Sequence, residues 1–406
     1  MHETPRSNRL HIALFGRRNA GKSRLINALT GQEAAIVSPI PGTTTDPVWK
    51  AMELIPFGPV VFIDTAGLDD EGELGAIRIQ RSLAVLARTD LALIVVDATI
   101  GWSALEAGIL AELQRRGTAR LVVWNKTDLD GRAVDEIPGT PSISVSAETG
   151  LGIDRLKETI IECAPRIWAE APLMADLLSP GDLVVLVVPV DQEAPRGRLI
   201  LPQAQTLREV LDAGALGIVT RDTELSEALA ALNRRPRLVV TDSQAFGRVA
   251  EIVPRAVPLT SFSIVFARHK GDLAAYAKGA ATIDHLADGD RILIAESCTH
   301  HIAGDDIARV KLPRWLRSYS GRALEFAYVQ GHDFPADLAP YRLIVQCGGC
   351  MVNRREMLAR LECAEAAGVP ITNYGVAIAK VHGILPRVLA PFHLGAALES
   401  EPLMEL

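Results

Sequence analysis

Eight residues near the start of the chain have the types and spacing of a phosphate-binding loop. The run GRRNAGKS, residues 16–23, follows a short apolar segment and opens a helical pattern. Its glycines let backbone N–H groups turn toward phosphate oxygens, and the helix N-terminus adds a partial positive charge. Lys22 is expected to reach the β/γ oxygens, and the Ser23 hydroxyl to bind Mg²⁺. The expected nucleotide contacts of this loop are Gly16, Asn19, Ala20, Gly21, Lys22 and Ser23.

Three further short motifs follow apolar runs and point to guanine. Asp64 begins the run DTAG and can hold the Mg²⁺ shell, and the amide of Gly67 at its end can meet the γ-phosphate. The run NKTD contributes Asn125, Lys126 and Asp128, whose carboxylate accepts the two donors that guanine presents and adenine lacks. The pair Ser146 and Ala147 is expected to complete the base pocket. In this order and at strand ends, the motifs predict GTP with Mg²⁺ as the bound species.

Three cysteines near the carboxyl end have a spacing that suits a metal centre. Cys298 follows the apolar run 291–295, and Cys347 and Cys350 enclose two glycines after the run 341–345. Three thiolates suit either Zn²⁺ or a [4Fe–4S] cluster, and the spacing does not decide between them. Cys163 and Cys363 lie in helical patterns and are expected to be small buried apolar side chains.

Alternating strand and helix patterns must position these residues. In the first 170 residues, strands are expected at 10–15, 60–63, 91–96, 121–124 and 143–145. Strands separated by helices predict an α/β fold with a doubly wound parallel sheet. We expect three domains, a nucleotide-binding domain over 1–172 followed by two smaller α/β domains over 173–262 and 263–406. No internal repeat is evident in the sequence.

Composition narrows the class of protein. The chain has 406 residues, 42 basic and 49 acidic, for a net charge of −7. This balance argues against a nonspecific nucleic-acid binder. The longest apolar runs are far below the roughly 20 residues that span a bilayer, so no membrane partner is expected. Five cysteines are too few for a disulfide framework, and we expect a reducing, cytoplasmic setting.

The first motifs resemble those of the translation-factor-like GTPases, in the branch that contains MnmE, Era and HydF. The run PGTTTD, residues 41–46, resembles the switch I of that branch, which implies Thr44 as an Mg²⁺ ligand. Leu68 stands where Ras-type enzymes have a water-orienting Gln. Asn19 matches the Asn that coordinates K⁺ in related GTPases. The resemblance therefore implies K⁺-stimulated hydrolysis with Lys22, Thr44 and Asn19 as the catalytic residues.

The carboxyl-terminal motifs resemble the cluster domain of the HydF hydrogenase maturation GTPases. The matching runs are ESCTHH at 296–301, DDI at 305–307, CGGC at 347–350 with NR at 353–354, and ITNYG at 371–375. The resemblance implies a [4Fe–4S] cluster on Cys298, Cys347 and Cys350. Many members of the family carry His where this chain has Gln346, so the fourth ligand stays open among His300, Asp305, Asp306 and water.

This resemblance also implies a function and partners. The protein would be a homodimeric scaffold and carrier for the di-iron subcluster of [FeFe]-hydrogenase, with a dimerisation domain over 173–262 and an Fe–S cluster-binding domain over 263–406. It would work with two radical-SAM maturases and deliver to apo-[FeFe]-hydrogenase. The alternative is a tRNA-modification or ribosome-assembly GTPase whose cysteines bind a structural zinc ion, and the metal content of anaerobically purified protein separates the two.

Overall fold

A computed structural model describes residues 5–31, 48–65, 85–129, 137–165, 172–190, 199–297, 306–349 and 351–394. The chain divides into two compact units, residues 1–170 and 171–406. Several residues singled out by the sequence lie outside the described ranges: Thr44, Gly67, Leu68, Cys298, His300, Asp305 and Cys350. Among the residues that are described, no helix is both long and apolar enough to cross a membrane.

The first unit is built on a six-stranded sheet of order β2-β3-β1-β4-β5-β6. Its strands are β1 (Leu10–Phe15), β2 (Val48–Leu54), β3 (Gly58–Asp64), β4 (Leu91–Asp97), β5 (Ala119–Asn125) and β6 (Ser142–Ser144). Its helices are α1 (Lys22–Thr30), α2 (Ala104–Arg115) and α3 (Ile153–Cys163). Every residue of β1 and β4 is buried, as expected for central strands of a sheet covered on both faces. The α/β fold class predicted from the sequence is confirmed.

The edge strand β2 is the one departure from an all-parallel sheet in the described part of this unit. It pairs antiparallel with β3, from Val48 opposite Asp64 to Leu54 opposite Gly58. Only Leu54 in this strand is buried. The sequence therefore lacked the continuous apolar run by which the central strands were found.

The second unit contains two four-stranded parallel sheets. The first sheet and its helices comprise β7 (Leu183–Val187), α4 (Leu201–Asp212), β8 (Leu216–Thr220), α5 (Leu225–Ala230), β9 (Leu238–Thr241), α6 (Phe246–Ile252) and β10 (Leu259–Ser261). Then come α7 (Phe262–Lys270) and α8 (Leu273–Ala281). The second sheet and its helices comprise β11 (Arg291–Glu296), α9 (Leu312–Ser320), β12 (Glu325–Gln330), β13 (Leu343–Gln346), α10 (Arg354–Ala366), β14 (Ile371–Asn373), α11 (Tyr374–Val381) and α12 (Leu385–Leu389).

Both sheets of the second unit have the same strand order. They run β8-β7-β9-β10 and β12-β11-β13-β14, so in each the first strand lies between the second and the third. The sequence showed no repeat, yet the topology is repeated. In such parallel sheets, ligands bind at the carboxyl ends of the strands where the strand order reverses, here between β11 and β13.

One apolar core joins the two sheets of the second unit. Val185 and Val239 from the first sheet and Ile292 and Val345 from the second belong to the same buried cluster. The structure accordingly groups both sheets in a single unit. The domain limits that we expected at residues 172 and 262 stay predictions.

One cysteine differs from its expected burial. Cys363 is exposed on α10, so the expectation that it is a buried apolar side chain is wrong. The neighbouring buried positions of this helix are Leu361 and Ala364, which leaves position 363 on its outer face. Cys163 is half-buried and packs against the core of the first unit.

Candidate functional site

The phosphate-binding loop requires its glycines. Gly16 and Gly21 have φ values of 149° and 90°, which favour glycine. A Cβ atom at Gly16 would lie 2.3 Å from the carbonyl oxygen of Val95, and one at Gly21 would lie 2.3 Å from Nδ2 of Asn125. Asn19 also has a positive φ, 60°, and its side chain is exposed. The loop is thus fixed between β1 and α1 by close backbone contacts.

Lys22 lies within this loop. Its Nζ donates hydrogen bonds to the carbonyl oxygens of Gly16, at 2.9 Å, and Arg17, at 2.7 Å. The side chain is buried although it carries a charge. These contacts hold an ammonium group at the loop, where an anionic phosphate would meet it.

Ser23 and Asp64 come together across the start of α1 and the end of β3. The Ser23 hydroxyl donates a hydrogen bond to Oδ2 of Asp64. Burial raises the pKa of the Asp64 carboxyl above 3.8, against the opposing effects of the Ser23 hydrogen bond and of the charges on Lys22 and Lys50. A hydroxyl and a half-buried carboxylate are oxygen ligands of the kind that Mg²⁺ takes beside a nucleotide, so the pair suits that ion.

Asn125 connects the phosphate loop to the segment after β6. Its Nδ2 donates to the carbonyl oxygen of Ala20 at 2.9 Å, and its Oδ1 accepts from the backbone N–H of Ala147 at 3.0 Å. Thr127 reaches the same segment, where its hydroxyl donates to the Val145 carbonyl at 2.9 Å. Three motifs that are distant in the sequence are therefore one hydrogen-bonded assembly.

Lys126 and Asp128 follow Asn125 at the outer side of this assembly. Lys126 has a φ of 65°, and its Nζ donates to Oδ2 of Asp97 at 2.5 Å. Burial opposes ionisation of Asp97, but the hydrogen bonds from Lys126 and Thr99 outweigh it and hold the pKa of that carboxyl below its ordinary value. Asp128 is exposed, which leaves its carboxylate accessible to a base, whereas Ser146 is buried.

Asp97 is a residue of this site that the sequence analysis missed. It is the last residue of β4, and its neighbour in the sheet is Asn125 at the end of β5. An acidic residue that ends an apolar run beside a predicted motif is the signal that could have identified it. Among the predicted nucleotide residues, hydrogen bonds join Ser23 to Asp64 and Asn125 to Ala20 and Ala147, whereas Thr44 and Gly67 lie outside the described residues.

Cys347 lies at the carboxyl end of β13, where the strand order reverses. Its Sγ accepts the backbone N–H of Ser297 at 3.0 Å and that of Gly349 at 3.5 Å. The side chain is 5% exposed and forms no disulfide. In the sequence, Ser297 directly precedes Cys298 and Gly349 directly precedes Cys350. Each of these two residues is thus adjacent in the chain to one of the other two predicted cysteine ligands.

Gln346 points to a different neighbour. Its Nε2 donates a hydrogen bond to the hydroxyl of Tyr276, on α8, and its side chain is fully buried. Successive side chains of a strand point to opposite faces, so residues 346 and 347 project differently. Burial, ahead of every other effect, raises the pKa of the Tyr276 phenol, which keeps this hydroxyl neutral as a hydrogen-bonding group.

A buried charged network packs against Ser297. Arg360, which is 3% exposed, donates to the Ser297 hydroxyl at 3.1 Å, to the Gly331 carbonyl at 2.7 Å and to Oε1 of Glu356 at 2.9 Å. Oε2 of Glu356 lies 2.8 Å from Nδ1 of His332. This network is not predictable from the sequence, because its members come from three separate elements.

Of the three predicted cysteine ligands, Cys347 is the one in the described part of the chain, and its surroundings are compatible with a sulfur-ligated metal group. A cysteine sulfur that accepts backbone N–H groups has the hydrogen bonding that tunes an iron–sulfur centre. Within the described ranges, no three His, Cys, Asp or Glu side chains are grouped closely enough to hold a metal ion. Cys298, His300 and Cys350 fall outside those ranges, and Asp306 caps the turn after them by accepting the backbone N–H of Arg309 at 2.8 Å.

Comparison with known families identifies three segments of the chain. Residues 11–126 match the model of a 50S ribosome-binding GTPase. Residues 173–271 match the hydrogen maturase F dimerization domain, and residues 274–391 match the hydrogen maturase F tetramerization domain. The two oligomerization domains support an oligomeric protein.

Individual relatives match the GTPase segment. The chain is 42% identical over 166 residues to the tRNA modification GTPase MnmE of Dechloromonas aromatica, over 40% of this chain and 36% of that protein. It is 33% identical over 189 residues to the GTPase Der of Kosmotoga olearia, over 42% of each. The chain thus spans less than half the length of these relatives. A crystal structure of Aquifex aeolicus Era with GDP and AlF₄⁻ aligns at 21% identity and a TM-score of 0.34, over 52% of this chain and 92% of that one.

Proposed function

Because this chain has the architecture of the HydF-type GTPases, we propose that it is a hydrogenase maturation GTPase that carries an iron–sulfur cluster. It binds and hydrolyses GTP in the first unit. It serves as the scaffold and carrier on which the di-iron subcluster of [FeFe]-hydrogenase is assembled before delivery to the apo-enzyme. Two radical-SAM maturases are its partners in loading, and the working form contains at least a homodimer.

The nucleotide half of the proposal rests on charge placement. Lys22 binds the phosphates, Ser23, Asp64 and Thr44 hold Mg²⁺, and Asp128 selects guanine. Phosphoryl transfer depends mainly on positioning and on neutralising the developing charge. Leu68 cannot orient water by hydrogen bonding, so hydrolysis must rely on another group. The exposed Asn19 holds a K⁺ ion that supplies positive charge at the phosphates.

The observation that carries the second half is the sulfur of Cys347 with its two backbone donors. Ser297 and Gly349 contact this sulfur from two loops, and each is followed by a cysteine in the chain. Adjacent Cα atoms are about 3.8 Å apart, so Cys298 and Cys350 each follow directly on a residue that contacts the Cys347 sulfur. This favours ligation of one metal group by all three cysteines. The [4Fe–4S] cluster supplies an iron that three cysteines leave open to a weak or exchangeable ligand, as a carrier requires.

The test is the metal content of the full chain purified without oxygen and reconstituted with iron and sulfide. Wild-type protein is expected to bind about four irons and four sulfides per chain, the content of one such cluster. Cys347→Ser should lose most of both. Cys363→Ser is the matched control, because that cysteine is exposed on α10 and should leave the content unchanged.

Two results contradict this proposal. One is stoichiometric zinc without sulfide in the wild-type protein, which would favour a GTPase of tRNA modification or ribosome assembly with a structural zinc site. The other is equal iron in Cys347→Ser and wild type, which would remove Cys347 from the ligand set.

A further inference from the structure

Lys270 is a buried charge that the proposed function does not yet use. It is the last residue of α7, and it is 2% exposed. Transfer of an ammonium group out of water is costly unless hydrogen bonds and charges compensate it. A lysine so deeply buried therefore needs hydrogen-bonding partners close by. The residues that supply them show which segment of the chain this ammonium group supports.

Its hydrogen bonds reach the cysteine turn. Nζ donates to the carbonyl oxygen of Gly349 at 2.7 Å and to that of Val352 at 2.9 Å. These two residues enclose Cys350 and its successor in the sequence. The face of the Phe266 ring lies 6.0 Å from Nζ, which adds a favourable cation–π contact on the helix side.

Gly349 connects this ammonium group to the cysteine sulfur. Its carbonyl accepts from Lys270, while its N–H points to Sγ of Cys347. Its φ is 66°, and a Cβ atom there would lie only 2.8 Å from Sδ of Met357, so the position favours glycine. Glycine has no side chain that could anchor the backbone. The turn is therefore held by contacts made to its backbone, and Lys270 makes two of them.

The helix that carries Lys270 is itself firmly placed. Its first residue follows β10 directly, and the Ser261 hydroxyl caps it by accepting the N–H of Ile264 at 3.3 Å. Along its length it buries Ile264 and Val265 in the apolar cores of the unit. A side chain at the end of such a helix has little freedom to move, so its charge is fixed relative to the turn.

We propose that Lys270 is a positioning residue of the cysteine centre, which holds the backbone at Gly349 and Val352 and places an ammonium group near the Cys347 sulfur. This inference rests on the proposed function. Thiolate ligands and added electrons both increase the negative charge of the centre. A nearby fixed cation therefore strengthens retention of iron and favours the reduced form.

The test compares two variants of the full chain after anaerobic reconstitution. Lys270→Met removes the charge and the hydrogen bonds at similar volume, and Lys270→Gln keeps an N–H donor without the charge. In both, the reduction potential should fall below that of wild type. Lys270→Met should also lose iron to a chelator about tenfold faster, the lower end of the range for residues that support metal ligands. Lys270→Gln should lose it more slowly than Lys270→Met. Lys278→Met, on an exposed position of α8, is the matched control and should behave as wild type.

The outcomes separate this inference from the one beneath it. Wild-type protein that binds no iron overturns the proposed function, and this inference with it. Wild-type protein that binds iron, with both variants equal to it in potential and in rate of iron loss, overturns only the role of Lys270. Thermal unfolding of the metal-free variants reports on folding, and loss of the fold in both would assign Lys270 to stability alone and also overturn the proposal.

Discussion

At the scale of single residues, the nucleotide site is held together by hydrogen bonds among its own side chains and backbone. Asn125 is satisfied on both sides of its amide, and Lys22 is bonded to the loop. The sequence predicted these residue types because the motifs fix their order. Asp97 has a signal in the sequence, an acidic residue at the end of an apolar run, whereas Lys270 has none, since its partners lie far away in the chain.

Asp128→Asn should weaken selection of guanine. The change replaces one carboxylate acceptor by a donor, which leaves a mismatch with a donor of the base and costs about 1–3 kcal/mol in GTP affinity. Binding of fluorescent GTP and ATP analogues measures this change. Asp154→Asn, an exposed carboxylate on α3, is the control. An unchanged preference for GTP over ATP in Asp128→Asn would remove Asp128 from the base pocket.

Asp64→Asn should stabilise the protein in the absence of metal and nucleotide. Because burial raises the pKa of Asp64 in the folded state, the protonated form is tolerated at low pH, and stability is lost as the pH rises through that raised value. Asn resembles the protonated acid, so the variant should unfold at a higher temperature than wild type at pH 8, and this difference should shrink as the pH falls toward the ordinary pKa of a carboxyl group. Added Mg²⁺ and GTP should reverse the order, since they stabilise only a chain that binds them. A wild type that is the more stable of the two at pH 8 without metal would refute this account of Asp64.

Asn19 should make hydrolysis depend on K⁺. Turnover is expected to be slow and to rise when Na⁺ is replaced by K⁺ at constant ionic strength, because only the larger ion would occupy the site that we assign. Phosphate release at saturating GTP measures it, and Asn19→Ala should abolish the difference between the two salts. Equal rates of the wild type in both salts would exclude the cation role.

At the scale of elements, the apolar runs predicted the central strands well and the edges poorly. Strands β1, β4 and β5 were found because continuous buried runs leave little ambiguity. Strand β2 was missed because most of it faces solvent. The repeated strand order of the two later sheets was also hidden, because topology depends on which strands pair and not on similarity of sequence.

Gly21→Ala should disrupt the junction of β1 and α1. The new methyl group would meet Nδ2 of Asn125. The alanine would also have to adopt a left-handed backbone conformation, which alone costs roughly 1–2 kcal/mol. Gly31→Ala is a matched control, since it has a φ of 63° and its Cβ atom would meet no atom within 4 Å. Thermal unfolding should show a loss in both variants, and GTP affinity should fall only for Gly21→Ala. Equal GTP affinity in the two variants would contradict the contact with Asn125.

At the scale of the whole molecule, the chain combines a GTPase domain with two domains of oligomerization type. The first and last of these parts are predictable because each carries its own motifs, whereas the middle segment has none and is assigned from the resemblance alone. The boundary that we predicted at residue 262 falls between two sheets that share one apolar core. This core depends on contacts between residues that are distant in the chain, so it cannot be predicted from the sequence. This shared core places α7, and with it Lys270, against the cysteine turn of the second sheet.

The most direct test of the central claim is activation of an apo-[FeFe]-hydrogenase. The full chain is loaded in the presence of the two maturases, re-isolated and added to the apo-enzyme, and hydrogen evolution is measured. Wild type and Cys363→Ser should both activate it, and Cys347→Ser should not. Activation by Cys347→Ser at the wild-type level, or full hydrogenase activity when the chain is omitted, would contradict the account.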